Sequence, residues 1–168
     1  RYFHSFFKND NIAWNNLRNV YFFFRPVTNN FCFKGEEFIP NHSFQLSAVE
    51  ETQESFCYLV TETCYWEQKH HLTEKIFKPI VSRMPFVLVG PAHNLKYLRE
   101  YGFKTFDRWI DESYDTEPDN DSRIQKAVDQ LKKFSGFSRS DMQDLLHEMK
   151  PVLEHNFNHF YGDFKHII

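Results

Sequence analysis

Glycine is scarce in this sequence, five in 168 residues, and none of them lies in a GxGxxG fingerprint, a P-loop or a nucleophile elbow. A glycine-rich phosphate cradle is therefore excluded. Cysteine is equally thin. Cys32, Cys57 and Cys64 have no CxxC spacing and an odd count cannot pair completely within the chain, which fits free thiols in a reducing compartment and a cytoplasmic location. No apolar stretch approaches the length of a membrane span, and the N-terminal RYFHSFFKND lacks the pattern of a signal peptide. There is no basic run, and a net charge of −3 with a pI near 6.3 argues against nonspecific binding to nucleic acid or an acidic membrane. The chain starts at Arg1 rather than Met, so a preceding segment is expected.

What is abundant is phenylalanine, 20 residues in all, enough to fill a core with rings. The chain is long enough for one domain with a real core. Its organising stretch is 56–91. Phe56, Tyr58, Leu59 and Val60 form a short apolar run with the bias of a buried strand, as do Phe86 to Val89. Between them Ile76, Phe77, Ile80, Val81 and Met84 recur at the spacing of one helix face. Two buried strands joined by a helix form a βαβ unit with parallel strands, in which ligands sit at the carboxyl ends of strands and against helix N-termini. Thr61, Glu62, Thr63, Thr73, Glu74 and Lys75 gather there in this reading.

Residues 1–50 are poorly patterned and form one segment, with 51–168 as the folded domain. Within the first segment, Asp10 is a candidate cap for a helix to Asn19, Tyr21 to Phe24 and Phe31 to Phe33 read as strands, and Phe38 to Leu46 as loop. Beyond the central unit, Asn94 to Tyr101 reads as a helix with Leu95 and Leu98 inward and Gly102 as a left-handed C-cap. Lys104 to Phe106 reads as a third strand, and the acidic stretch Asp111 to Asp121 as a solvated loop. Ser122 is the expected cap of a helix to Lys133 with Ile124, Ala127, Val128 and Leu131 inward. Ser138 opens a capping box with Asp141, and its helix buries Met142, Leu145, Leu146 and Met149 until Pro151 kinks or ends it. Val152, Leu153, Phe157 and Phe160 continue the apolar face. The succession is that of an α/β sandwich with a C-terminal helical tail.

Several residues are candidates for chemistry. Thr73 caps the helix and leaves first-turn amides for an anion, while Lys75 and the helix dipole add positive charge. Glu74 suits a pair of sugar hydroxyls, and the alternative is that Glu74 and Lys75 are ordinary helix-start residues. Glu62, at a strand end, is either a sugar ligand or a surface residue. Lys78 is either a second phosphate contact or a solvated lysine. Tyr65 and Trp66 are either core or a surface for a base. His70, His71, Cys64 and Glu67 do not make a recognised ligand spacing, and Asp115, Glu117, Asp119 and Asp121 lack the glycine and glutamate of a calcium loop, so no metal is expected.

The segments LVTET, LTEKIFKPI and MPFVLVGP together resemble the donor-binding motif of the α1,3-fucosyltransferase family and of related viral and bacterial glycosyltransferase-like proteins. LKYLREYGFKTF, DESYD and LEHNFNHFY continue the likeness to the viral and bacterial members, so that it spans residues 56–161. Thr63 stands where the fucosyltransferases usually have Asn. The resemblance implies a Rossmann-like parallel sheet flanked by helices, as in the C-terminal half of a two-domain (GT-B) glycosyltransferase. It implies a nucleoside-diphosphate sugar as donor substrate, a GDP-sugar among the candidates, and a glycan or other hydroxyl acceptor. No separate cofactor is implied. Glu62 then faces the donor sugar, Glu74 holds the ribose and Lys75 contacts the diphosphate, with Thr73 and Lys78 beside them. Residues 1–50 become the end or remnant of an acceptor-side half, completed by a missing N-terminal half or a second subunit, and no residue is assigned as catalytic base. A second expectation, from a different class, is a noncatalytic structural or interaction module that keeps this fold, in a viral particle or a larger assembly.

Overall fold

The computed structural model describes residues 55–66 and 69–164. The readings made above for residues 1–50, and Glu67, lie outside the described residues. Strand β1 (Tyr58–Thr61) pairs in parallel with β2 (Phe86–Val89), Tyr58 opposite Phe86 and Thr61 opposite Val89. The Glu62 amide donates to Val89 O at 2.8 Å and extends the ladder one residue past β1. All four β2 residues are buried, as their unbroken β-branched, Leu and Phe composition requires.

Helix α1 (Glu74–Val81) connects the strands and buries Ile76, Pro79 and Ile80. It is followed by α2 (Asn94–Glu100), a 3-10 turn at Glu112–Thr116, α3 (Asn120–Lys133), a second short 3-10 turn at Phe134–Gly136 and α4 (Arg139–Tyr161). Helix α1 packs on β1, α3 on β2 and α4 over α1. The arrangement is α/β: a small parallel sheet with helices packed against it. Among the described residues no helix is long and apolar enough to cross a membrane.

Rings do fill the core, as the phenylalanine count suggests. Phe77 of α1 meets Phe103, Phe160 and Phe164 at centroid separations of 5.2–6.0 Å, which ties α4 back onto the βαβ unit. The Ser138–Asp141 capping box forms, and Gly102 follows α2 at φ +89°, the left-handed region where only glycine is unstrained. His159 and His155 donate to the carbonyls of Tyr101 and Gly102 at 2.6 and 2.9 Å, closing the end of α2.

Four expectations are corrected. The cap of α3 is Asp119, whose carboxylate accepts from the Ser122 amide, so the helix starts before Ser122. Of the two outcomes expected at Pro151, a kink or an end, the end does not occur: α4 continues to Tyr161 because Met149, Leu153 and Asn156 are buried on either side of the proline and their packing outweighs one missing bond. The acidic stretch is not a solvated loop. It holds a 3-10 turn in which Asp115 is buried, and its carboxylate accepts from the Leu95 and Lys96 amides at 2.9 and 3.3 Å, capping α2 from twenty residues away.

Finally, Lys104 to Phe106 is not a strand. Its backbone groups are met by side chains instead. Asn156 accepts from the Lys104 amide at 2.7 Å and donates to its carbonyl at 2.8 Å, and Glu112 accepts from the Phe106 amide at 2.7 Å. Replacing Asn156 with Ala strands two backbone groups, and the expected loss is about 3 kcal/mol in urea unfolding. Asn156→Asp, which keeps the acceptor but sets a buried carboxylate oxygen against the Lys104 carbonyl, should lose at least as much.

Burial raises the pKa of Asp115, against the lowering effect of the Leu95 and Lys96 amides, and burial likewise raises that of Glu112. The folded chain therefore holds these protons more tightly than the unfolded one. The contribution to stability is complete below the ordinary carboxylate range, about pH 4, and is lost as pH rises through the raised values. Urea midpoints at a series of pH values should show wild type losing stability relative to Asp115→Asn as pH rises from about 4, the reverse of an ion-paired carboxylate.

Candidate functional site

Strand β1 delivers Glu62 to the carboxyl edge of the sheet, and α1 begins at the same edge. Glu62 is fully buried, so it is neither the surface residue nor the open sugar ligand expected at this strand end. Its carboxylate accepts from the Thr73 amide at 3.1 Å and from the Thr73 hydroxyl at 2.6 Å. Thr73 has the extended backbone of an N-cap, and its Oγ1 accepts in turn from the Lys75 amide at 3.3 Å. One hydroxyl therefore satisfies a buried carboxylate and a first-turn amide together.

The ammonium of Lys75 donates to the Thr63 hydroxyl at 2.7 Å and to Thr73 Oγ1 at 3.4 Å, and lies 3.8 Å from the Glu74 carboxylate. Both side chains are partly exposed, Lys75 by 36% and Glu74 by 28%. A positive charge is thus held over the start of α1, where the helix dipole has the same sign. Of the residues singled out in the sequence, Glu62, Thr73, Glu74 and Lys75 come together, and Thr63 joins them. Lys78 is half-buried further along α1, and among the described residues no hydrogen bond or ion pair ties its side chain to the cluster.

Behind the cluster stands Arg123, which sequence reasoning missed. It is 2% exposed, and its guanidinium donates to Gly90 O at 3.0 Å, to Glu117 O and Pro118 O at 2.7 and 3.4 Å, to Tyr65 O at 3.2 Å and to Asn120 Oδ1. It also covers the Tyr65 ring at 4.6 Å. The Tyr65 phenol is itself pushed up to about 12 by burial, with the Arg123 charge acting against it. One side chain thereby joins the turn after β1, the residue after β2 and the acidic stretch. The signal for it was present: Arg123 precedes Ala127 by one helical turn, on the edge of the apolar stripe of α3.

Asn94, fully buried, exchanges two hydrogen bonds with the His71 backbone at 3.1 and 2.9 Å and holds the connection leading into α1. Its side chain lies where a Cβ on Gly90 would sit, 2.6 Å away, so glycine is required there by close approach. A groove of about 630 Å³, lined by Arg83 and, on α4, by His147, Lys150 and Glu154 among others, lies elsewhere, along α4.

The fold and the cluster define an α/β unit with a charged helix start at the carboxyl edge of a parallel strand pair. Comparison of the chain with protein-family models, with curated proteins and with solved structures returns no match.

Thr73→Val keeps the shape and removes the hydroxyl. It should cost about 2 kcal/mol in urea unfolding by leaving a buried carboxylate and a helix amide short of a partner, whereas Thr73→Ser should recover most of that stability.

Proposed function

We propose that this chain is a nucleotide-sugar-binding domain of Rossmann type, the donor side of a GT-B glycosyltransferase of the fucosyltransferase-like kind. It binds a nucleoside-diphosphate sugar whose sugar is transferred to a hydroxyl acceptor. The observation that carries the reading is the placement of Lys75 Nζ, held by Thr63 and Thr73 over the N-terminus of α1 at the carboxyl edge of the parallel strands. In this reading Lys75 and the first-turn amides receive the diphosphate and stabilise the negative charge that develops as the glycosidic bond breaks. Glu74, partly exposed beside them, accepts from ribose hydroxyls. Glu62 acts through Thr73: buried and bonded to it by both oxygens, it positions the cap. Lys78 contributes long-range charge.

One observation favours a second reading, a noncatalytic module with the same fold: the side chains of Glu62, Thr63, Thr73, Glu74 and Lys75 already have internal partners. Calorimetry on the whole chain with GDP- and UDP-sugars separates the two. Donor binding predicts saturable heat below millimolar ligand, with at least a tenfold loss for Lys75→Ala, the effect of one charge-assisted contact of about 1.5–3 kcal/mol. No heat at millimolar ligand supports the noncatalytic module, and equal binding by Lys75→Ala overturns the placement of the diphosphate on Lys75.

A further inference from the structure

Residues 63–66 form a turn that starts at Thr63, the partner of Lys75, and ends at Trp66. Trp66 is 55% exposed, one of few large apolar side chains left open among the described residues. It is mounted on a buried neighbour. Its ring meets the Tyr65 ring edge to face, with centroids 4.9 Å apart and planes at 88°. Tyr65 is 1% exposed, its hydroxyl donates to Asn120 O, its ring is covered by Arg123 and its carbonyl accepts from the same guanidinium. An indole on such a base has little freedom left to lose when it binds, and its open face offers apolar area and a π-system.

We infer that Trp66 is a stacking surface for the nucleobase of a nucleoside diphosphate whose phosphates rest on Lys75. The inference rests on the donor-binding reading and adds to it the group that reads the base. Stacking suits this position because it needs only a flat face, whereas hydrogen-bond readout would need free polar side chains, and the nearby Arg123 and Asn120 side chains are spent on the interior.

The test is a titration of the whole chain with GDP, UDP and inorganic pyrophosphate, for wild type, Trp66→Ala, Trp66→Phe and Lys75→Ala, each confirmed as folded by circular dichroism. Trp66→Ala should weaken GDP about tenfold, within the range of one base stack, and leave pyrophosphate unchanged. Trp66→Phe should recover most of the loss, and Lys75→Ala should weaken all three ligands. If Trp66→Ala binds GDP like wild type while Lys75→Ala does not, stacking is overturned and the donor reading stands. Equal weakening of GDP and pyrophosphate by Trp66→Ala also overturns stacking, since it places the effect in the turn. Wild type that binds none of the three ligands overturns both.

Discussion

A buried backbone amide or carbonyl must find a partner, and the two short strands among the described residues supply too few. This constraint shapes most of the structure. The Leu88 amide, on the free edge of β2, donates to the Tyr114 hydroxyl at 3.3 Å. Asn156 brackets Lys104, Glu112 takes the Phe106 amide and Asp115 takes two amides of α2. A third strand would meet such needs with its own backbone. Side chains meet them here by entering the interior, and burial leaves its mark on the pKa values of Glu112, Tyr114 and Asp115, all raised. The stretch from Asp111 to Asp115 is thus as much a part of the sheet's environment as the helices are.

The same constraint operates at the carboxyl edge of the strands, through Arg123. A guanidinium has five N–H donors and no acceptor, so a buried arginine with no carboxylate beside it can be satisfied only by oxygens of the chain. Gathering those oxygens means gathering the segments that carry them, the turn after β1, Gly90 and the acidic stretch. Asn94 does likewise for His71, and Glu62 for Thr73. The segments around the cluster are therefore fixed from within. Lys75 and Glu74 stay partly open to solvent, and Thr63 and Trp66 are exposed beside them.

Apolar periodicity was a good guide to the elements and a poor one to their connections. The two strands, their parallel pairing, most apolar inward residues of the helices, the capping box and the Gly102 turn were legible, because apolar spacing and backbone conformation are local properties; the buried polar residues Arg123, Gln130 and Asn156 were not. Polar side chains carry no such label. Asp115 and Glu112 read as solvated charges because nothing adjacent in sequence shows that amides 20 and 6 residues away need them. Lys104–Phe106 read as a strand because the residue that takes its hydrogen bonds, Asn156, lies 52 positions further on. Four of the five site residues singled out do converge. Lys78 does not, since its place on α1 is set by the burial of Pro79 and Ile80 beside it. Arg123 escaped notice because an arginine at the edge of an apolar stripe looks like any solvated one until its acceptors are known.

Energetics divide the cluster into two halves. Glu62 and Thr73 form a buried pair, and separating them would leave a desolvated carboxylate unpaired, at a cost of several kcal/mol. The contact of Lys75 with Glu74 is 3.8 Å long and partly exposed, in the class worth about 0–1 kcal/mol. In the donor-binding reading proposed above, a diphosphate approaching from solvent would offer Lys75 anionic oxygens in place of neutral hydroxyls, an exchange on the outer side that leaves the inner pair intact. In that reading the inner layer fixes where the lysine stands and the outer layer is weak enough to give way to a ligand.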